Sequence, residues 1–217
     1  MKKIDYDDPK SFALKARKAR FKFFLEQLDK LNRPLKILDV GGTEKYWEMI
    51  DFLEHVDMET QGIEIYLLNL THQKVTKPNF VSLKGTATNL SEYENGFFDL
   101  VFSNSVIEHL FTWENQLKMA KEVRRVGKSY FIQTPNFWFP IEPHYVMPLI
   151  QYFPKKVRTQ LLLLFHSGYN DKNTAFQKVE EIRLLTIKQM KELFPDGKTY
   201  LEKFMGLNKS IIMYKIE

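Results

Sequence analysis

The residue types best suited to chemistry in this chain of 217 residues lie together at positions 37–42, which read Ile-Leu-Asp-Val-Gly-Gly. This is a short apolar run that ends in an acid and a tight glycine turn. Glycine lets a ligand approach the main chain closely, and Asp39 can accept hydrogen bonds from ligand or backbone donors. The pattern is typical of the entrance to a nucleotide or nucleoside cofactor site. An apolar strand that simply leaves a sheet at Gly41 and Gly42 would read the same way.

Other reactive groups are limited by composition. The chain has no cysteine, which excludes disulfides, thiolate nucleophiles and cysteine zinc sites. The sequence also lacks the Gly-x-Gly-x-x-Gly pattern of dinucleotide sites and the complete Gly-x-x-x-x-Gly-Lys-Ser/Thr pattern of phosphate-binding loops. No two histidines have the spacing of a metal pair on one helix, so the sequence predicts no metal site, and a site made of histidines and carboxylates from distant positions stays open as an alternative. The five histidines are at positions 55, 72, 109, 144 and 166.

The elements that must position these residues alternate between strand and helix. Apolar runs bounded by turn residues predict strands over 35–40, 62–70, 80–83, 97–103 and 129–134. Helical spacing and capping residues predict helices over 9–31, 46–55, 113–126 and 187–194. Two final strands, 199–205 and 210–215, form a hairpin with its turn at 206–209. Short links between alternating strands and helices predict an α/β fold with a largely parallel sheet and helices on both faces.

One segment breaks this rhythm. Residues 136–168 contain four prolines among aromatic residues and are too long and too apolar for a simple turn. An insertion after the carboxyl end of a strand is where α/β enzymes build substrate walls and lids. We therefore expect a lid-like insertion here, within a single domain that covers 1–217.

Basic residues are concentrated near the beginning of the chain. Eight lie between Lys2 and Lys22 against three acids, and a solvated helix face is the favoured interpretation. The alternative is a nearby anionic substrate or a peripheral contact with a membrane surface. Nucleic acid is disfavoured because no Arg-Gly or zinc-finger pattern accompanies the charge. No apolar run predicts a signal peptide or a membrane span, and we expect a cytoplasmic protein.

Three segments in this order resemble the class I S-adenosylmethionine-dependent methyltransferases, in particular the small-molecule group that includes ubiquinone-type enzymes. They are Ile-Leu-Asp-Val-Gly-Gly at 37–42, Leu-Lys-Gly-Thr-Ala-Thr-Asn-Leu at 83–90, and Phe-Asp-Leu-Val-Phe-Ser-Asn-Ser-Val-Ile-Glu-His-Leu at 98–110. The resemblance implies a Rossmann-like fold whose seven-stranded, mostly parallel sheet has an antiparallel C-terminal strand. It also implies S-adenosylmethionine as the cofactor.

The resemblance assigns the first two cofactor contacts to the ends of the first two strands. Asp39, Gly41 and Gly42 would receive the methionine end of the cofactor. Asn69 would hold the ribose hydroxyls, at a position where the family usually has an acid. The glycine pattern is also shorter than the family's Asp-x-Gly-x-Gly-x-Gly, and a neutral partner weakens such a contact by about 1 kcal/mol.

The next contacts would follow the third and fourth strands. By the same resemblance, the adenine would lie near Thr86, Ala87 and Thr88, and Thr86 stands where relatives often carry an aspartate. Asn104 and Ser105 would border the methionine and the transferring methyl group. These departures from the family pattern keep open a second hypothesis, a catalytically silent methyltransferase-like domain that serves in binding or assembly.

One missing motif and two histidines limit the choice of methyl acceptor. The sequence Ser103-Asn104-Ser105 stands where enzymes that methylate the amino groups of nucleic-acid bases often carry Asn-Pro-Pro-Tyr. We therefore expect an oxygen on a small molecule, a sugar or a lipid-linked glycan. A hydroxyl acceptor needs a base, and His109 and His144 are the candidates because they follow strand ends and titrate near neutrality. Glu108 and Glu142 rank second.

Overall fold

The computed structural model describes residues 12–165 and 171–217, and within them the chain forms alternating strands and helices as the sequence predicts. The helices are α1 (Phe12–Leu28), α2 (Glu44–Met49), α3 (Phe52–His55), α4 (Trp113–Val126), α5 (Lys155–Phe165), α6 (Lys172–Glu180) and α7 (Ile187–Leu193). The strands are β1 (Leu35–Val40), β2 (Ile63–Asn69), β3 (Phe80–Lys84), β4 (Phe98–Asn104), β5 (Gly127–Pro135), β6 (Ile141–Glu142), β7 (Met147–Pro148), β8 (Lys198–Phe204) and β9 (Leu207–Lys215).

Seven strands form one sheet in the order β3-β2-β1-β4-β5-β9-β8. β1 through β5 pair in parallel, while β9 is antiparallel to both of its neighbours, β5 and β8. The predicted fold class is confirmed, including the antiparallel C-terminal strand. Because β1, β4 and β5 are adjacent and parallel, their carboxyl ends meet at one edge of the sheet.

The sheet is covered on both faces, which explains why its central strands read as continuous apolar runs. On one face, Phe24 of α1 packs with Trp47 of α2, Phe102 of β4 and Phe131 of β5. On the other face, α4 packs its buried side, including Val123, into a second core cluster that also contains residues of α7. The sheet lies between these two clusters, which fix the positions of its strands.

Two predicted helices have different bounds in the structure. The helix expected over 46–55 starts earlier, because Thr43 caps it at Glu44, and it is divided into α2 and α3 by Asp51, whose φ is 60°. α1 ends at Leu28 rather than at 31, and Arg33 donates hydrogen bonds to the carbonyls of Leu28 and Leu31, at 2.8 and 2.5 Å. Residues 9–11 of the expected N-terminal helix lie outside the described part of the chain.

The predicted insertion contains structure of its own. After β5, the β6–β7 hairpin is followed by a short 3-10 helix (Ile150–Tyr152) and by α5. α6 comes next and is a helix that the sequence reading missed. Side chains of the hairpin, α5 and α6, such as Tyr145, Leu162 and Val179, form a small third core. Positions 166–168, the last part of the expected insertion, lie outside the described residues.

The C-terminal hairpin has a shorter turn than predicted. β8 extends to Phe204 and β9 begins at Leu207, which leaves only Met205 and Gly206 between them. Both have positive φ, 47° and 81°, as a two-residue turn that follows the twist of the strands requires. The predicted turn over 206–209 was therefore wrong in length. In the described part of the chain, no helix has both the length and the apolar character needed to cross a membrane.

The aromatic packing of α1 predicts a stability effect. Replacing Phe24, whose side chain is 1% exposed, by alanine should lower the free energy of unfolding by about 3–5 kcal/mol. Urea denaturation followed by circular dichroism measures this change. Leu164→Ala, at a position 74% exposed, is the control and should change the stability by less than about 0.5 kcal/mol. Equal effects of the two substitutions would show that α1 does not carry this core.

Candidate functional site

The first loop of the site follows β1, at the edge where the central strands end. Val40 is aligned with Leu68 of β2 on one side and with Ser103 of β4 on the other. Gly41 has a φ of 76°, a conformation that favours glycine, and its N–H donates to the Leu68 carbonyl at 2.8 Å. A Cβ on Gly41 would lie 2.5 Å from Cγ2 of Val106. The loop after β1 is thus packed directly against the segment after β4.

Asp39 lies beneath this loop. Its carboxylate is 1% exposed and accepts a hydrogen bond from the Trp47 indole at 2.7 Å. A Cβ added to Gly42 would collide with the same carboxylate. Burial raises the pKa of Asp39 to about 7, and the Trp47 hydrogen bond opposes this only in part. The backbone of Gly42 can therefore approach the Asp39 carboxylate only because Gly42 has no side chain.

Asn69 links the first loop to the next one. Its side-chain amide donates to the Gly42 carbonyl at 2.8 Å, and its backbone carbonyl accepts from the N–H of Gly85 at 2.8 Å. The residue predicted to hold a ribose thus holds the glycine turn itself. An amide can do this through its NH₂ group, which an acid in the same place lacks.

The segment predicted to lie near an adenine forms a compact turn after β3. The hydroxyls of Thr86 and Thr88 are 3.0 Å apart, and Thr86 forms an isolated bridge with Asn89. Ala87 between them is 8% exposed and contributes to the core. The structure therefore places this turn beside Asn69, at the same edge of the sheet as the glycine loop.

Asn104 is the last residue of β4 and Ser105 follows it, and both are also held by protein groups. The side-chain oxygen (Oδ1) of Asn104 accepts a hydrogen bond from Arg20 at 2.5 Å, and Arg20 also pairs with Glu202 at 2.8 Å. Ser105, with a φ of 57°, donates from its backbone N–H and its hydroxyl to the backbone carbonyl and side chain of Gln133, each at 3.0 Å. Arg20 belongs to the basic N-terminal segment that the sequence reading took for a solvated face. For this residue that interpretation is wrong, because its side chain is largely buried and reaches the site.

The two histidines predicted as catalytic come together from distant parts of the chain. His109 ends a 3-10 helix (Ile107–His109) after β4, and His144 lies in the turn of the β6–β7 hairpin. Their Nε2 atoms are 3.2 Å apart, and Nδ1 of His144 is 2.5 Å from the carboxylate of Glu142. The second carboxylate, Glu108, has Oε1 at 3.9 Å from Nε2 of His144.

These four groups perturb one another. Burial raises the pKa of Glu108 to about 7, although a hydrogen bond from Thr134 at 2.9 Å favours its charged form. Desolvation, followed by repulsion from His144, lowers the pKa of His109 to about 4. Desolvation lowers the pKa of His144 as well, but the hydrogen bond to Glu142 and the charges of both carboxylates outweigh it and raise the pKa. Such strongly perturbed neighbours are characteristic of functional sites.

All eleven predicted site residues thus lie at the carboxyl ends of strands, in the loops that follow them or in the insertion after β5, and the structure brings the cofactor candidates to one edge of the sheet. It also adds residues that the sequence reading missed. Trp47 and Arg20 come from helices and carry no recognisable motif, whereas Gln133 is the penultimate polar residue of β5. The doublet Glu108-His109 and the triplet Glu142-Pro143-His144 were visible, but not their contact.

Comparison with known proteins agrees with this fold. Residues 38–130 match a family model described as a methyltransferase domain. An uncharacterized protein of Mycobacterium tuberculosis, found in two strains, is 27% identical over 95 residues. This match covers 42% of the present chain and 32% of the relative, so the chain spans about a third of the length of these curated relatives.

Solved structures share the fold. A methyltransferase from Archaeoglobus fulgidus, described as SAM-dependent, superposes with a TM-score of 0.55 at 14% identity and covers 93% of this chain and 94% of its own. The 1,6-didemethyltoxoflavin-N1-methyltransferase of Burkholderia thailandensis was solved with its substrate and S-adenosylhomocysteine bound. It gives a TM-score of 0.52 at 13% identity, covering 95% of this chain and 79% of its own.

The fold and the strand-end loops thus define a Rossmann-like domain of the methyltransferase type. Residues 38–130 are thus similar to a methyltransferase domain, and the chain shares the fold of solved class I methyltransferases.

The close approach of Gly42 to Asp39 predicts a loss of ligand binding. In Gly42→Ala, the added methyl group must displace the Asp39 carboxylate, and the turn after β1 has to move. We expect the affinity for S-adenosylhomocysteine, measured by calorimetry, to fall at least about 10-fold, or about 1.4 kcal/mol. Gly206→Ala is the control for backbone strain, since its φ is 81° but a Cβ there has no neighbour within 4 Å. Unchanged affinity in Gly42→Ala would remove this loop from the ligand site.

The buried carboxylate of Asp39 predicts a pH-dependent stability. Its pKa rises from 3.8 to about 7 on folding, so the native state holds a proton that the unfolded state releases, and the wild type loses stability as the pH rises between these values. Asp39→Asn carries no such charge. At pH 8 it should be more stable than the wild type by a few kcal/mol, at about 1.4 kcal/mol per pKa unit, and the gain should vanish near pH 4. Urea denaturation at both pH values tests this, and a gain that is equal at both would refute it.

Proposed function

We propose that this protein transfers a methyl group from S-adenosylmethionine to an oxygen of a small-molecule, sugar or lipid-linked acceptor. The proposal is supported mainly by one arrangement. The glycine loop after β1, Asn69 at the end of β2 and the polar segment at the end of β4 lie at one sheet edge. Asn69 is hydrogen-bonded to the Gly42 carbonyl, and β4 pairs with β1 up to Ser103. In open α/β sheets, ligands bind outside the carboxyl ends of the strands.

The cofactor would extend along this edge. The backbone of Gly41 and Gly42 would receive the methionine portion, and Asn69 would face the ribose with the oxygen of its amide while its NH₂ group stays on the Gly42 carbonyl. The turn that includes Ala87 would lie against the adenine. Asn104 and Ser105 would border the methyl group, held in place by Arg20 and Gln133.

The reaction itself requires little bond chemistry from the protein. The acceptor oxygen forms a bond to the methyl carbon, the bond from carbon to sulfur breaks, and its electron pair neutralises the sulfonium. The hydroxyl proton leaves to a base or to solvent. The cofactor supplies the activated leaving group, so the protein mainly has to orient the reactants and exclude water.

Activation of the acceptor would fall to His109 and His144. Both rings lie beyond the end of β4, next to the segment proposed to border the methyl group, and the Nε2 atoms face each other. The aromatic side chains that begin the insertion would wall a ring-bearing or lipid-linked acceptor. Trp138 is 63% exposed there and is flanked by Phe137 and Tyr152, while Phe139 and Tyr145 are buried.

A second function is favoured by specific contacts. Asn69 and Asn104 already bind protein groups, and the glycine pattern is shorter than in the family. A domain that retains the fold but serves in binding or assembly would tolerate these features.

A cytoplasmic location and the absence of a nucleic-acid substrate remain predictions.

Calorimetric titration with S-adenosylhomocysteine is the direct test of the cofactor. We expect one site per chain with a dissociation constant of about 100 micromolar or tighter. Formation of S-adenosylhomocysteine from S-adenosylmethionine, measured over a panel of phenols, sugars and lipid-linked sugars, then tests turnover. Binding without any product over this panel would favour the assembly function, and no binding at all would reject the proposal.

If the two histidines activate the acceptor, their loss should lower turnover and leave the binding of S-adenosylhomocysteine unchanged. With an acceptor from the panel, His109→Ala and His144→Ala should lower kcat by about 100-fold or more, because activation of the hydroxyl is lost. Their affinity for S-adenosylhomocysteine should stay within about 2-fold of the wild type, since neither ring belongs to the proposed cofactor contacts. A parallel loss of binding would place the histidines in a structural role instead. His55→Ala, an exposed position, controls for the loss of an imidazole.

A further inference from the structure

The cluster of Glu108, His109 and His144 has a property that the proposed function does not require. One ligand-type atom from each residue lies within 4.8 Å of the others, and the two Nε2 atoms are 3.2 Å apart. Two imidazole nitrogens bound to one tetrahedral zinc ion, each at 2.0–2.1 Å, are about 3.4 Å apart. The ring nitrogens are thus already near the separation that a shared metal ion imposes.

We propose that Glu108, His109 and His144 bind a divalent first-row transition-metal ion of the zinc type, and that Glu142 orients His144 as a ligand. The ligand set contains two imidazoles and one carboxylate, without thiolates. Such a set suits zinc and its neighbours rather than magnesium or calcium, which favour oxygen ligands.

An unsatisfied buried oxygen supports this site independently. Glu108 is fully buried, and its Oε2 accepts from the Thr134 hydroxyl at 2.9 Å. Its Oε1 has no hydrogen-bond partner among the described residues, and lies on the side of His144. A buried carboxylate oxygen without a partner costs free energy. A cation between Oε1 and the two rings would remove that cost.

Glu142 acts as the outer carboxylate of a typical histidine ligand. Its Oε1 is 2.5 Å from Nδ1 of His144, and its Oε2 accepts the backbone N–H of Tyr145 at 2.8 Å. A carboxylate fixed in this way keeps the proton on Nδ1 and leaves the lone pair of Nε2 for a metal. The lone pair then points toward Nε2 of His109, so the two nitrogens need either a proton or a cation between them.

The electrostatic balance also favours a cation. Glu108 and Glu142 are both buried carboxylates within reach of His144. Buried charges are normally paired or coordinate metals, and a divalent ion would balance two carboxylates at once. Three protein ligands also leave one tetrahedral position open, as in catalytic rather than structural zinc sites. His109 is accessible to solvent, which gives this position a route for water or for an acceptor.

The metal would give the two histidines a defined task, and this part of the inference rests on the proposed function. An acceptor hydroxyl in the open position would lose its proton to solvent more readily, because the ion lowers its pKa. The resulting oxygen would attack the methyl group with the bond changes described above. The histidines would then activate the acceptor through the ion and would not take its proton themselves.

Metal binding can be tested on the untagged full chain without cofactor or acceptor. After treatment with a chelator, the protein is titrated with Zn²⁺ by calorimetry and with Co²⁺ by visible absorption, which reports tetrahedral coordination. We expect one ion per chain, with a zinc dissociation constant of about 1 micromolar or tighter. Weaker binding than this, or a Co²⁺ spectrum without tetrahedral bands, would overturn the proposal. The Nε2 atoms would then be joined by a proton.

Variants assign the ligands. His109→Ala and His144→Ala should each weaken zinc binding by about 100-fold or more, and Glu142→Gln by about 10- to 100-fold because the outer carboxylate is lost. His55→Ala should bind as the wild type does, since its ring lies on α3 and faces the Asp51 carbonyl. Circular dichroism confirms folding, and the partly exposed His109 keeps the test valid if Glu142→Gln fails to fold. Unchanged affinity in His109→Ala would overturn the assignment.

The result is independent of the proposed function. Zinc binding is measured without S-adenosylmethionine, and S-adenosylhomocysteine binding is measured in the chelated protein. Loss of the metal site with intact binding of S-adenosylhomocysteine would refute only the metal proposal. The opposite result would leave the metal site standing and refute methyl transfer.

Discussion

The contact between the backbone of Gly42 and the buried carboxylate of Asp39 is the constraint on which the candidate site depends. It brings the turn after β1 down onto the sheet edge, where Trp47 from α2 closes it from below. Asn69 then holds the same turn from the β2 side through the Gly42 carbonyl. This one loop contacts two strands and a helix. It therefore connects the aromatic core under α1 to the polar edge of the sheet, and each stabilises the other. The carboxylate is costly to bury, which is typical of a group retained for function rather than for stability.

A second constraint is the insertion after β5. A short hairpin, too small to be stable alone, is fixed by the core that it shares with α5 and α6. That core determines where His144 lies relative to His109, and the hydrogen bond from His144 to Glu142 fixes the ring within the hairpin. The edge proposed to bind the cofactor is thus built from the sheet, whereas the side proposed to bind the acceptor is built from the insertion. Such a division allows different acceptors on a common fold, since loops vary more freely than sheets.

The network also shows how a departure from a family pattern can be absorbed. Asparagine at position 69 offers a donor as well as an acceptor, and the donor is used to hold the glycine turn that lacks a third glycine. Arg20 plays a comparable part for Asn104 by reaching from α1 across to Glu202. A short motif can therefore keep its geometry when neighbouring side chains supply the missing restraints.

The sequence by itself determined the succession of strands and helices along the chain, the fold class and the identity of the strand-end residues, whereas the order of the strands in the sheet came from the structure. These follow from local patterns: apolar runs of strand length, glycine and proline punctuation, and three motifs in a fixed order. It also identified both histidines, because each follows a strand end. Where the sequence reading failed, the error was local as well, as in the division of α2 from α3 at Asp51 or the short turn at Gly206.

Only the tertiary structure decided which of these residues meet. His109 and His144 are 35 positions apart, and no periodicity connects two loops. A search for two histidines on one helix cannot detect a pair that comes from a 3-10 turn and a hairpin. Likewise, Arg20 reads as one more charge in a basic segment until the packing of α1 turns it toward Glu202 and Asn104. Local sequence sets backbone preferences within a few residues, whereas contacts between distant loops depend on how whole elements pack, and that packing is a property of the folded core.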